Sequence, residues 1–288
     1  MGRMHPDFAQ ELERRIAAGF APICVGLDPR LDALPRGLAP NEPPARRILA
    51  FYERTIPVLA PLSPAVKPNI AFFERYGAEG WICYEATCAL ARAAGMLVIG
   101  DVKRGDIGST AEAYAEAHFA HADALTLHPY LGSDSLEPFL KQCKTAGKGV
   151  FVLVRTSNPG ARDLQDLRVG EGSLAETVAM LVHKWGMELG NPEGYSPLGA
   201  VVGATWPQEL HKLRMLMPRA WLLLPGVGAQ GGKPEDVAPA FDRRGLGALV
   251  NQSRGVMQAF APDDPGWLDK VRVATMTFAE QVRVASRR

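Results

Sequence analysis

The chain has 288 residues, with 32 Lys and Arg against 31 Asp and Glu, so its net charge of +1 offers no bulk attraction for nucleic acid or an anionic membrane. With 47% apolar and 22% charged residues, the composition is that of a globular protein with a large core rather than a disordered or fibrous chain. Asp7, Glu11, Glu13, Arg14 and Arg15 stand where a signal peptide needs an apolar stretch, and no apolar run approaches the length of a membrane span; a cytoplasmic location is expected. Cys24, Cys83, Cys88 and Cys143 form no Cys-x-x-Cys pair and read as reduced structural thiols.

A helix over residues 1–20 comes first, with Phe8, Leu12 and Ile16 spaced by four so that one face can close the bottom of a barrel. Short apolar runs then alternate with segments of helical period. The strand at 21–29 is followed by a helix at 45–59 after a Pro-Pro pair, and the strand at 65–72 by a helix at 81–94 that leads into Gly95. After the strand at 96–103 comes a helix at 109–121, whose Ser109-x-x-Glu112 has the spacing of a capping box. The strand at 122–129 precedes a helix at 133–146 closed by Gly147. The strand at 149–157 leads into residues 158–172, a polar stretch too long for an ordinary turn and so a candidate lid, and then into a helix at 173–189. Strands at 198–205, 221–228 and 247–254 complete the set. Helices at 206–217 and 234–241 separate them, and a last helix carries Trp267, Val271, Ala274, Phe278 and Val282 on one stripe.

Near-continuous hydrophobicity suits parallel strands buried on both faces, and eight strand-helix units in series are the pattern of a (β/α)8 TIM barrel, an α/β fold, expected here as one catalytic domain over 1–288. An open doubly wound sheet fits less well, because no Gly-x-Gly-x-x-Gly follows the first strand.

Barrel enzymes carry their chemistry at the carboxyl ends of the strands. Those ends supply Asp28, Lys67 with Asn69, Asp101 with Lys103, His128, Thr156 with Ser157, Thr205, Gln230, and Ser253 with Arg254. Asn69, Thr156 and Thr205 read equally well as turn formers. Strand alternation puts Asp101 and Lys103 on one interior face, with Asp106 just beyond the strand in the position of a helix cap. Buried charges are a poor stabilising device, so charges facing a barrel mouth are better explained by chemistry. Lys67 on the neighbouring strand completes an alternating array in which each ammonium stays protonated, suited to donating a proton rather than forming a Schiff base. The glycine-rich run 225–232 and Arg254 sit after strands seven and eight, the usual place for a phosphate in this fold.

These residues closely resemble the orotidine 5'-monophosphate decarboxylase family, in its longer bacterial branch. Its Asp-x-Lys-x-x-Asp signature stands as Asp101, Lys103 and Asp106, with Gly26-Leu27-Asp28-Pro29, Val66-Lys67-Pro68-Asn69, Pro225-Gly226-Val227-Gly228-Ala229-Gln230 and Ser253-Arg254 in order on the expected strands. The resemblance implies cofactor-free loss of CO2 from C6 of the pyrimidine, with Lys103 as proton donor within a Lys67, Asp101, Lys103 and Asp106 network, and no metal. It also implies that Asp28 and Lys67 bind the ribose, Ser157 the pyrimidine amide, Gln230 the region between base and phosphate, and Ser253 with Arg254 the phosphate. A homodimer is expected, in which Asp106, Ile107 and Thr110 reach the partner's site.

The same signature occurs in relatives that decarboxylate a keto-sugar phosphate or condense formaldehyde with a pentulose phosphate around magnesium; against them stands Lys67, a cation where a metal site prefers carboxylates. A catalytically dead sensor of a phosphorylated metabolite would not need a lysine flanked by two acids. His118-x-x-His121 lies inside a helix and reads as surface or packing rather than as a metal site.

Overall fold

In the computed structural model, residues 6–189, 194–204, 207–227 and 232–287 are described. The elements in chain order are α1 (Phe8–Ala17), β1 (Ile23–Leu27), α2 (Pro44–Leu59), β2 (Ala65–Pro68), α3 (Ala71–Glu74), α4 (Gly77–Ala93), β3 (Leu97–Arg104), α5 (Gly108–Phe119), β4 (Ala124–Leu127) and α6 (Glu137–Ala146). They continue with β5 (Gly149–Arg155), α7 (Arg162–Gln165), β6 (Arg168–Val169), β7 (Gly172–Ser173), α8 (Leu174–Met187), β8 (Ser196–Val202), α9 (Pro207–Leu216), β9 (Ala220–Pro225), β10 (Ala248–Gln252), α10 (Arg254–Met257) and α11 (Trp267–Ser286). Strands β1, β10, β9, β8, β5, β4, β3 and β2 close into a parallel barrel, and β6 pairs with β7 as a separate antiparallel ribbon.

Alternation along the strands sorts the core into two regions. Cys24, Ala65, Leu97, Ile99, Ala124, Phe151, Val201, Trp221, Leu223 and Leu249 fill the barrel interior, while Val25, Val66, Val98, Leu125, Val152, Leu222 and Val250 face the surrounding helices. Phe8, Ala9 and Leu12 of α1 join the interior set, with Phe8 edge-on to Phe151 at 5.8 Å. Each large side chain buried this way contributes about 1.5–3 kcal/mol, so α1 is a genuine floor to the barrel. Asp7 starts that helix with a capping box, its carboxylate accepting from the Gln10 N–H.

Some boundaries differ from the sequence expectation for physical reasons. The apolar run at 65–72 is strand only as far as Pro68; its remainder turns into α3. Helix α5 begins at Gly108 with Ile107 as its cap and no side-chain cap bond, so Ser109 lies inside the first turn and the expected capping box does not form. Helix α6 starts at Glu137 rather than at 133, and Gly147 ends it in the left-handed conformation (φ 68°) that a side chain would disfavour. Residues Pro234–Ala240 form a 3₁₀ helix, with Pro239 inside it lacking the N–H that a regular α-helix would use.

Candidate active site

The interior parity that buries Ala65, Ile99 and Ala124 carries on to Lys67, Asp101 and Thr126, which therefore meet where the three strands end. Asp101 is the hub. One carboxylate oxygen accepts from Lys67 Nζ at 2.5 Å, and the other accepts from Lys103 Nζ and, at 3.0 Å, from the Thr126 hydroxyl. Asp101 and Lys67 are buried, whereas the Lys103 side chain is 48% exposed toward the mouth. Burial alone would raise the Asp101 carboxyl, but the Lys67 and Lys103 ammoniums override it and hold it well below the usual carboxylate range. Burial likewise works against the Lys67 ammonium, and the Asp101 and Asp28 carboxylates overcome it, pushing Lys67 up.

The other expected residues extend this hub around the rim. Asp28 follows β1 and keeps one carboxylate oxygen buried without a hydrogen-bond partner; Ser253, after β10, has its hydroxyl in the same condition. Arg254 follows at once, exposed, as the first residue of α10. Gln252 reaches across to the Val227 carbonyl at 3.4 Å, linking the ends of β10 and β9. Because β10, β1, β2, β3, β4 and β5 are successive neighbours in the ring, Arg254, Asp28, Lys67, Asp101 and Ser157 lie along one continuous arc of the mouth. Half-buried Ser157 packs beside Gly203 at the end of β8. Gln230 and Thr205 lie outside the described residues.

Asp106 stands apart. Its carboxylate accepts from the Ile107 N–H at 2.8 Å, and among the described residues no ion pair of this chain joins it to Lys103. Within one chain the structure thus brings together Lys67, Asp101 and Lys103, with Asp106 at the rim beside exposed Ile107 and Thr110. The two histidines serve different neighbours: buried His118 accepts from Arg104 Nε at 3.1 Å, and burial, reinforced by Arg104, pushes its imidazole down to about 4, while half-buried His121 lies 3.0 Å from the Glu85 carboxylate. Two residues around the site carry roles that the sequence did not assign to them. Thr126 was signalled by its interior parity two residues before His128. Arg155, at the end of β5, is buried with ion pairs to Asp166 at 2.6 Å and Glu209 at 2.8 Å.

This constellation presents two cations sharing one carboxylate at a barrel mouth, a site able to attract an anion and hand it a proton. A family model described as orotidine 5'-phosphate decarboxylase / HUMPS family matches residues 21–264. The chain belongs to this family. The orotidine 5'-phosphate decarboxylase of Rhodopirellula baltica is 44% identical to it over 298 residues, covering 96% of this chain and 99% of the relative. The solved structure of Leishmania donovani OMP decarboxylase superposes with a TM-score of 0.79 at 36% identity, covering 97% of this chain and 98% of that one. Leishmania donovani UMP synthase gives a TM-score of 0.81 at 38% identity; the match takes in 98% of this chain but spans 57% of that longer one. Membership of the orotidine 5'-phosphate decarboxylase family makes the chain a relative of carboxy-lyases, and no helix among the described residues is long and apolar enough to cross a membrane.

Proposed function

We propose that this chain converts orotidine 5'-monophosphate to UMP with release of CO2, in pyrimidine biosynthesis, by a cofactor-free route. The observation that carries the proposal is the Asp101 carboxylate clasped by the ammoniums of Lys67 and Lys103 at the barrel mouth. In the reaction the bond between C6 and the carboxylate breaks heterolytically, CO2 leaves, and the electron pair stays on C6. Lys103 stabilises that developing charge and transfers a proton to C6; solvent then restores the ammonium. Asp101 faces the departing carboxylate and, with Lys67, orients Lys103.

Asp28 and Lys67 hold the ribose hydroxyls, and the unpartnered buried oxygen of Asp28 supports that role. Ser157 contacts the pyrimidine amide, Gln230 lies between base and phosphate, and Arg254 binds the phosphate with Ser253, whose buried hydroxyl also lacks a partner. Asp106, Ile107 and Thr110 complete the site of a partner subunit in a homodimer. The magnesium-dependent chemistry of the sugar-phosphate relatives fits less well, because Lys67 occupies the Asp101 carboxylate that a divalent cation would need.

Purified protein is expected to consume orotidine 5'-monophosphate and form UMP at an undiminished rate in EDTA. Lys103→Ala is expected to lose turnover by at least about a thousand-fold while still binding UMP, because the phosphate contacts lie elsewhere. Loss of activity on chelation, or near-normal turnover in that variant, would falsify the assignment.

A further inference from the structure

Lys103 is one of two non-glycine residues with positive φ among the described residues, at 45°, and the pairing of β3 with β4 shifts register between Gly100 and Arg104. A lysine in this backbone region persists only where its surroundings impose it. Two sets of bonds flank it. On the barrel interior, the Thr126 hydroxyl accepts from the Lys103 N–H at 3.1 Å and donates to Asp101 Oδ1 at 3.0 Å. On the outer face, Arg104 donates to His118 Nε2 at 3.1 Å and to the Val102 carbonyl at 3.2 Å, and pairs with Glu74.

We propose that Thr126 is a positioning residue for Lys103: its one hydroxyl locks the lysine's left-handed backbone to the carboxylate that its own ammonium must face. A hydroxyl has one proton to give and lone pairs to accept with, so it can serve both neighbours at once. Thr126 is 1% exposed on β4, a rigid strand, and its bonds fix two things together: the turn that aims Lys103 and the rotamer of Asp101. Without the hydroxyl the lysine N–H loses its acceptor, the turn relaxes toward extended backbone, and the ammonium swings away from Asp101. Arg104, the next residue, is itself held by His118, the Val102 carbonyl and Glu74 and so limits this relaxation; the effect falls on chemistry rather than on folding.

The activity arm of the test rests on the decarboxylase reading. Thr126→Val keeps the shape and removes the hydroxyl; kcat is expected to fall about ten- to a hundred-fold, with KM and UMP affinity within about two-fold of the parent. Thr126→Ser is expected to restore kcat to within about three-fold, since it retains both hydrogen bonds. A valine variant with parental kcat, or a serine variant as impaired as the valine one, overturns the proposal. If the parent protein does not turn over orotidine 5'-monophosphate, the decarboxylase reading fails on its own, and amide hydrogen exchange decides the role of Thr126. Faster exchange in Thr126→Val confined to the segment 101–106 supports the clamp, and unchanged exchange there refutes it. Should the valine variant not fold, Thr126→Ala against Thr126→Ser makes the same comparison.

Discussion

Asp101 shows how burial and pairing combine in one side chain. Its carboxyl is depressed on folding, so the stability it contributes is fully present above the unfolded carboxylate value of about 3.9 and is lost only as the pH falls toward the folded value. Lys67 is raised on folding, so its contribution is fully present below about 10.4 and is lost as the pH rises through the folded value. Between about pH 5 and 9 neither Asp101 nor Lys67 therefore titrates in the native state. Asp101→Asn changes the sign of this dependence. Lys67 then stays buried with only Asp28 against the cost of burial, its ammonium falls below the unfolded value, and the unfolded state binds the extra proton. The variant is expected to lose about 3 kcal/mol of unfolding free energy at pH 6, with a deficit that shrinks as the pH rises toward 10. Urea denaturation of both proteins across that range measures it; an equal deficit at pH 6 and pH 9 would mean that Lys67 does not depend on Asp101.

Among the elements, the barrel strands were legible because both their faces are buried and their apolar runs are continuous, while their ends were less so. Apolar continuity from Ala65 to Phe72 cannot distinguish a strand from a strand that turns into the short α3, and Ser109 with Glu112 has cap spacing whether or not the helix starts there. The interior pairing of Asp101 with Lys103 followed from period-two alternation; the left-handed turn at Lys103 did not, because lysine carries no signal for positive φ as glycine does. The polar stretch at 158–172 reads as a flexible lid by composition, yet it holds α7 and the ribbon β6–β7. Contacts back to the end of β5 fold it. Gln165 exchanges two hydrogen bonds of 2.9 Å with Thr156, and Asp166 pairs with buried Arg155, which Glu209 of α9 holds from the other side. Such an anchor sets where Ser157 stands. Asp166→Ala is expected to speed amide exchange over 158–173 about five-fold, equivalent to roughly 1 kcal/mol, with little change in global unfolding because Glu209 still satisfies the arginine. Unaltered exchange would show that the Gln165 bonds alone hold α7 in place.

Across the whole molecule, the near-equality of positive and negative charge leaves a second copy of the chain unopposed by bulk repulsion, and the rim supplies apolar surface for it. Ile107 is 54% exposed on the loop after β3, and Tyr130 and Leu131 are 79% and 44% exposed on the loop after the neighbouring β4. Asp106 lies on that same rim with its carboxylate turned to its own backbone rather than to Lys103. A twofold dimer built on this surface would carry each Asp106 to the opposite mouth and add the second carboxylate that two ammoniums call for. Complementation tests this. Asp106→Ala and Lys103→Ala homodimers are each expected to be inactive. A hybrid of the two holds one mouth with both wild-type groups and one with neither. Statistical reassembly of equal amounts then restores about a quarter of the parental activity per site, since half the dimers are hybrids and each has one intact site. Recovery is read by mixing the variants under dissociating conditions, verifying the heterodimer by native mass spectrometry and assaying UMP formation. A verified heterodimer without activity would place Asp106 outside the shared site and leave Lys103 to work with Asp101 and Lys67 alone.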